Sequence, residues 1–481
     1  MVDWAFRTAS ELTAALRRRE VGCVEVLDWQ LARVAQHNPR LNAVIVLDRD
    51  GARARAEAAD RALGRGDLWG PLHGLPMTIK ESIDVAGLPT TSGAPALRHN
   101  RPAVDAVAVA RLKAAGAIIF GKSNTPLYTG DMQTYNQLYG TTNNPWDVTR
   151  GPGGSSGGAA AAVAAGLTPL ELGSDIGGSI RNPAHYCGIY GHKPSYGTVP
   201  FRGHVPPAPG AEAPLDIAVL GPLARSSEDL ALAMGVLAGQ GVWPAAPAPS
   251  AGRRRLADFH IAAWLDDGDF PIDASVLAVL RRAVEGLRQA GASVHETARP
   301  GFTLAQAHEV YYALLAAALG AGLSERSIAN FRRRLPTLSP TDQGYEARFM
   351  RGVSLSHRDW LALNERRHGL QRHWARFFER YDALLCPVMP TAAFRHDHNP
   401  DVYARRAVVN GRPVPYLDQV VWAGLVGIAE LPSTVVPVGL TAEGLPVGLQ
   451  VVGAFRQDGT CIDLAGRIGR LMGGCRRPPG Y

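Results

Sequence analysis

Lysine is nearly absent from this sequence. Its 481 residues hold only Lys80, Lys113, Lys122 and Lys193, against a large excess of arginine. Arginine replaces lysine well as a solvated surface charge, but a guanidinium does not give up its proton. Lysines kept in such a chain are therefore candidates for groups that must titrate. Lys113 falls in a helix-like segment, 104–115, and reads as surface. Lys80 ends an apolar run and is the stronger candidate.

Cysteine is also sparse. Cys23, Cys187, Cys386, Cys461 and Cys475 are widely spaced, odd in number and form no Cys-x-x-Cys pair. That argues against a disulfide scaffold and fits a reducing cytoplasm. Charged residues make up 19% of the chain, and the net charge of +7 is modest for this length. The arginine clusters at 17–19, 253–255 and 332–334 are short and carry no aromatic stripe, so they read as solvated surface. The longest apolar run, 310–323, is too short to span a bilayer. The opening Met1-Val-Asp-Trp-Ala-Phe-Arg7 has no basic region leading into an apolar one, so no signal peptide is expected. There is no His-Glu-x-x-His, and His396-Asp-His398 reads as a solvated loop. No metal, cofactor, nucleic acid or membrane is expected as a partner. A dinucleotide-binding loop fails too: in the Gly151 segment Ser156 stands where Gly-x-Gly-x-x-Gly needs its last glycine. Ser-x-x-Lys is likewise absent.

What remains is a globular chain, 46% hydrophobic, with the signals of a large α/β domain spanning 1–481. Residues 1–70 read as helical, with a capping box at Thr8-Ala-Ser-Glu11 and a strand-like 42–47. Strands are expected at 75–80, 117–120, 259–264, 382–386, 433–437 and 446–452. Helices are expected at 24–36, 104–115, 226–237, 276–289 and 461–472. Residues 303–380 read as a helical cap, 128–146 as a long ordered loop and 241–250 as a surface connection. The strands at 76–80 and 433–452 are expected to share one sheet.

The chain is organised around Gly151-Pro-Gly-Gly-Ser155-Ser156-Gly-Gly158 and its echo Gly173-Ser-Asp-Ile-Gly-Gly-Ser179-Ile-Arg181. Nearly pure alanine, 159–166, separates them. This reads as a loop, a tightly packed buried helix and a second loop. A flexible linker would not bracket an apolar helix in this way. Gly153-Gly-Ser155-Ser-Gly157 matches the Gly-x-Ser-x-Gly nucleophile elbow, but the apolar strand that must precede it is replaced by polar, proline-broken 143–152. A serine–serine–lysine arrangement fits better. Backbone N–H groups near Ser179 suit acyl transfer, where charge develops on a carbonyl oxygen. Burial can lower the pKa of Lys80 enough for it to act as a base, with Ser155 relaying the proton from Ser179.

These stretches resemble the amidase signature family over nearly the whole chain. The similarity is carried by 153–158, 159–166 and 173–184. It extends to Gly74-Leu-Pro-Met-Thr-Ile-Lys80-Glu-Ser-Ile-Asp84, Gly121-Lys-Ser-Asn124 and Gly188-Ile-Tyr-Gly-His-Lys-Pro-Ser195. Leu385-Cys-Pro-Val-Met-Pro390 and Gly444-Leu-Pro-Val-Gly-Leu-Gln-Val-Val-Gly453 also match. The resemblance implies a large mixed, mostly parallel twisted β-sheet surrounded by α-helices, with 75–200 as its signature core. It implies an amidase that forms an acyl-serine, with Ser179 as nucleophile, Ser155 on a cis peptide bond as bridge and Lys80 as base. The amides of Ile176, Gly177, Gly178 and Ser179 would form an oxyanion hole. Ser156, Asp175 and Arg181 would brace the loops. Thr129, Met132 and Trp422 are candidate pocket walls. The implied partner is a small-molecule amide, and a homodimer is allowed. An alternative within the family is a glutamine-dependent amidotransferase, its A-type subunit, which works in a complex. That branch usually carries an Asn-Met-Asp-Glu-Phe-like loop where this chain has Thr129-Gly-Asp-Met-Gln-Thr134. Ala159, Ile176, Tyr190 and His192 depart from the common pattern and leave pocket shape and substrate open.

Overall fold

The computed structural model describes residues 4–239 and 255–481. The expected connection at 241–250, arginines 253 and 254, and the first three residues of the chain lie outside the described residues. Along the chain, α1 (Ala9–Arg17), α2 (Cys23–Leu41), β1 (Val44–Leu47) and α3 (Arg49–Gly64) come first. Then follow β2 (Pro76–Lys80), α4 (Val107–Ala114), β3 (Ile118–Ser123), β4 (Tyr135–Asn136) and β5 (Gly140–Thr141). The middle holds α5 (Gly157–Ala164), β6 (Leu170–Asp175), α6 (Arg181–Cys187), β7 (Tyr190–Lys193), β8 (Val219–Ala224) and α7 (Ser227–Leu237). Next are β9 (His260–Ala263), α8 (Ala274–Gln289) and β10 (Ser293–His295). Helices α9 (Leu304–Gly320), α10 (Glu325–Arg334), α11 (Tyr345–Val353) and α12 (His357–Phe378) fill the segment expected to be helical. The chain finishes with β11 (Ala383–Pro387), β12 (Arg406–Val409), β13 (Arg412–Pro415), α13 (Val421–Gly427), β14 (Ser433–Leu440), β15 (Pro446–Val452) and α14 (Asp458–Met472).

Local chemistry sets several boundaries. The capping box of α1 forms, with Thr8 Oγ1 accepting from Glu11 N at 3.1 Å and Glu11 Oε2 from Thr8 N at 2.8 Å. Leu12 and Leu16 then fall on its buried face. Helix α2 runs past the expected end at 36. It stops where Asn42 turns left-handed at φ 51°, while the Asn38 side chain takes up the amides of Ala43 and Val44.

Eleven strands form one sheet in the order β1-β3-β2-β6-β8-β7-β14-β15-β11-β9-β10. The expected partnership of 76–80 with 433–452 in this sheet holds. The sheet is mixed, but the expectation of mostly parallel strands needs correction. Parallel pairing is confined to β3-β2-β6 and β11-β9-β10, and the other six neighbour pairs are antiparallel. The β–α–β segments that impose parallel pairing lie near the two ends, whereas β14 and β15 are joined by a short turn that forces them antiparallel.

Two further differences have one cause. Gly173 to Asp175, read as loop, completes the buried strand β6, and 190–193, read as turn-rich, is the buried strand β7. Their glycines mark close approach and not turns. A Cβ on Gly173 would meet Leu223 Cδ1 at 2.8 Å, and one on Gly191 would meet Ala184 Cβ at 2.9 Å. The same economy of volume explains the alanine helix. Every residue of α5 is buried, and it packs on β2, β3, β6 and β8. At its first turn, a Cβ on Gly158 would meet the Asn124 backbone nitrogen, the Asn124 oxygen at 2.6 Å and the Ala43 oxygen at 2.8 Å.

Those contacts are backbone, which cannot swing aside. Gly158→Ala should therefore destabilise the fold by about 1–3 kcal/mol, the usual range for overpacking. A lowered urea midpoint at unchanged slope would show it.

Candidate active site

The carboxyl ends of the parallel strands β2 and β6 meet the two Gly/Ser segments. Lys80 is the last residue of β2 and is fully buried. Its Nζ donates to Ser155 Oγ at 2.7 Å and to Ser174 Oγ at 2.9 Å. Burial pushes the Lys80 ammonium down to about 7, against the opposing pull of the Asp175 and Glu171 carboxylates. Lys122 and Lys193 are also buried, and desolvation lowers each to about 8. Lys122 donates to Pro89 O and Thr90 Oγ1, and Lys193 to Pro194 O. Lys113, by contrast, is paired with Asp105 near the surface.

Ser155 follows a cis peptide bond from Gly154. Its carbonyl accepts from Thr125 Oγ1 at 3.0 Å. Ser156 ties the two segments together: its N–H donates to Ser179 O at 3.1 Å, and its hydroxyl bonds to the Ser174 backbone.

Asp175 holds the second segment in shape. Its carboxylate accepts from the amides of Gly178, Ile180 and Arg181, and from Arg181 Nε at 3.0 Å and Nη2 at 2.8 Å. Burial alone would raise this carboxyl. The Arg181 guanidinium and the hydrogen bonds outweigh it and hold the group well below the usual carboxylate range. Arg181 is equally committed, donating from Nη1 to Ala423 O and Gln450 Oε1. Gly178 sits at φ 102°, a backbone region that glycine enters without strain. Its N–H is taken by Asp175 at 2.9 Å, so Gly178, expected among the oxyanion donors, is a brace instead. Among the described residues the amides of Ile176, Gly177 and Ser179 have no acceptor. The Ile176 carbonyl is pinned by Tyr311 Oη at 3.0 Å.

Ser155, Ser174, Ser179 and His204 line one narrow recess. It shares Thr129, Ile176, Ser179, Pro206, Leu215 and Leu319 with a larger cavity of about 320 Å³. Thr129 and Met132 lie in the wall of that cavity, as do Tyr312, Leu315, Leu319 and Phe349 from the helical segment 304–378. Trp422 does not. It is buried against Trp264 at a centroid distance of 5.8 Å, behind the wall. Among the described residues Asp131 is the one charged side chain lining the cavity, and it is already paired. Arg405 Nη1 and Tyr416 Oη each donate to it at 2.6 Å. Sequence reading did not single out Ser174, His204 or the Asp131–Arg405–Tyr416 clasp. Ser174 lies inside a motif already singled out. Nothing in the sequence pairs positions 131 and 405. Among the described residues no cluster of His, Cys, Asp and Glu could hold a metal ion; His396 bonds to Asn143 and His398 stacks on Tyr135.

Two Gly/Ser segments converging on a buried lysine, beside an apolar cavity, define a class, and comparison with known proteins names it. The Amidase family model matches residues 25–462, so the chain belongs to the amidase family. It is 38% identical to the A-type subunit of a glutamyl-tRNA(Gln) amidotransferase from Roseiflexus castenholzii, covering 94% of this chain and 93% of that protein. It is 34% identical to an indoleacetamide hydrolase of Bradyrhizobium diazoefficiens, covering 97% and 86%. A solved bacterial aryl acylamidase of the amidase signature family superposes with a TM-score of 0.79 at 27% identity, over 97% of this chain and 96% of that one.

Removing Arg181 leaves Asp175 ionised and unpaired in the interior. Arg181→Met should lower stability by about 3–5 kcal/mol near neutral pH. The gap to wild type should narrow in acid. There the variant's carboxyl takes a proton, while wild type loses its own contribution as pH falls below the ordinary carboxylate range. Denaturation midpoints across pH would show both effects.

Proposed function

We propose that this chain hydrolyses a neutral carboxamide to a carboxylate and ammonia or an amine, through an acyl-serine on Ser179. The observation that carries this reading is the dry Lys80 Nζ, 2.7 Å from the hydroxyl of Ser155, in the recess that Ser179 shares. Neutral Lys80 takes the Ser155 proton as Ser155 takes that of Ser179, and Ser179 Oγ adds to the amide carbon. The amides of Ile176, Gly177 and Ser179 receive the developing oxyanion. The proton returns through Ser155 to the departing nitrogen, the C–N bond breaks, and water then releases the acid by the same route in reverse. The five free cysteines fit a reducing, cytoplasmic setting. No described helix is long and apolar enough to cross a membrane.

The name borne by several relatives favours a second reading, a component that draws nitrogen from glutamine within a complex. The cavity supports the first. Glutamine brings an ammonium and a carboxylate, and the one charged side chain among the described wall residues, Asp131, is already engaged by Arg405 and Tyr416. Its apolar walls suit an aryl or aliphatic acyl group.

Ser179→Ala should lower kcat by about 10⁴-fold or more, and Lys80→Arg should be comparably inactive. A serine-directed fluorophosphonate should leave one adduct, on Ser179, by mass spectrometry. Turnover retained by Ser179→Ala would overturn the reading. Because the base is the uncharged amine, kcat/KM should climb as pH rises through about 7 and level off above it. A neutral arylacetamide should exceed glutamine in kcat/KM by about 100-fold or more, since unpaired buried charge costs several kcal/mol and about 1.4 kcal/mol is tenfold. Equal values would favour the second reading.

A further inference from the structure

We propose that His204 is a positioning residue: it accepts the Ser174 hydroxyl proton at Nε2 and so keeps the lone pair of Lys80 aimed at Ser155. This rests on the reading of Lys80 as the base. Two hydroxyls lie within reach of Lys80 Nζ, Ser155 at 2.7 Å and Ser174 at 2.9 Å. A neutral amine has one lone pair, and either hydroxyl can donate to it. Proton relay from Ser179 requires that Ser155 does. Something must therefore keep the Ser174 proton pointing elsewhere.

The tautomer of His204 supplies the answer. Its Nδ1 lies 2.9 Å from the carbonyl oxygen of Pro206, which can only accept. Nδ1 therefore carries the hydrogen. A neutral ring then leaves Nε2 bare, as an acceptor. Burial, reinforced by the charge of Lys80, drives His204 down to about 3, so the ring stays neutral near pH 7. Two hydroxyls face Nε2, Ser174 at 2.9 Å and Ser82 at 3.1 Å. Ser174 is the nearer and the one that also reaches Lys80. The order of donation is fixed as Lys80 Nζ–H to Ser174 Oγ, and Ser174 Oγ–H to His204 Nε2. The Lys80 lone pair is left for Ser155.

The loop carrying His204 is fastened to the chain just beyond Lys80. Val205 N donates to Ser82 O at 2.8 Å, Asp84 N to Gly203 O at 2.7 Å, and Ile83 bridges His204. Pro206 and Pro207 of the same loop line the cavity. The titratable groups facing Lys80 are Glu171 and Asp175 on β6 and His204 from the loop, and Lys80 is the charged group facing His204.

Five enzymes test the proposal on one amide substrate: wild type, His204→Leu, His204→Gln, Ser174→Ala and the His204→Leu/Ser174→Ala double variant. His204→Leu should lose about tenfold or more in kcat. KM should stay within about twofold. Ser174 would then donate to the free amine, which favours the uncharged form. The acid limb of the pH profile should therefore move to lower pH even as the plateau falls. The glutamine carbonyl replaces the lost acceptor, so His204→Gln should recover most of the rate. With Ser174 already alanine, losing His204 should cost nothing further. An equal loss from His204→Leu in both backgrounds, or no recovery by glutamine with an unmoved limb, would overturn the proposal. Nitrogen NMR of the wild-type ring gives a readout independent of turnover and of variant folding. The neutral Nδ1–H tautomer should persist from about pH 6 to 9. An Nε2–H tautomer or a charged ring in that range would refute the proposal, whereas turnover retained by Lys80→Arg would instead refute the lysine as base.

Discussion

An amine held without water at the end of a buried strand is the constraint on which this structure depends. In solvent Lys80 would stay an ammonium near neutral pH and could accept nothing. Between the layers of the sheet its charged form is penalised, and the hydroxyls of Ser155 and Ser174 satisfy its hydrogen bonds without supplying compensating charge. The carboxylates of Glu171 and Asp175 pull the other way, which keeps the shift moderate. Glu171 is itself pushed up to about 7 by burial, so its pull weakens where it takes up a proton. Strand packing that excludes water thus sets the proton affinity of the site.

The second segment is shaped by the opposite device. Asp175 remains charged in the interior because Arg181 and three backbone amides meet it. The carboxylate organises the turn around itself, binding the amide of Gly178 and leaving those of Ile176, Gly177 and Ser179 without an acceptor among the described residues. Gln450 and Ala423, far along the chain, hold the other side of the guanidinium. The two elements carrying the groups we propose to react are therefore fixed by polar bonds of fixed direction, while the cavity beyond them is mostly apolar.

Much of this was legible in the sequence because it is written locally. Four lysines in an arginine-rich chain, two glycine–serine segments and the alanine run between them point to Lys80, Ser155 and Ser179 on their own. The strands bearing glycine were misread, since glycine marks turns and tight contacts alike and only the neighbours tell which. Strand direction was misjudged because an apolar run carries no arrow. Trp422, a candidate for the wall, packs behind it against Trp264, since a large ring is as useful behind a wall as in it. Position 204 drew no notice, since its meaning lies in the tautomer that the Pro206 carbonyl imposes.

The groups we assign to bond making all fall between residues 80 and 179, whereas most of the cavity surface comes from 206 onward, with Arg405 reaching back to clasp the 128–132 loop. The groups proposed to react and most of the cavity wall thus lie on separate stretches of the gene, although the 128–132 loop and the 176–179 turn of the first stretch also line the cavity. Drift or recombination in the later stretch can alter which amide is admitted while the reacting groups stay untouched, so one ancestral reaction can be redeployed on new compounds without being reinvented.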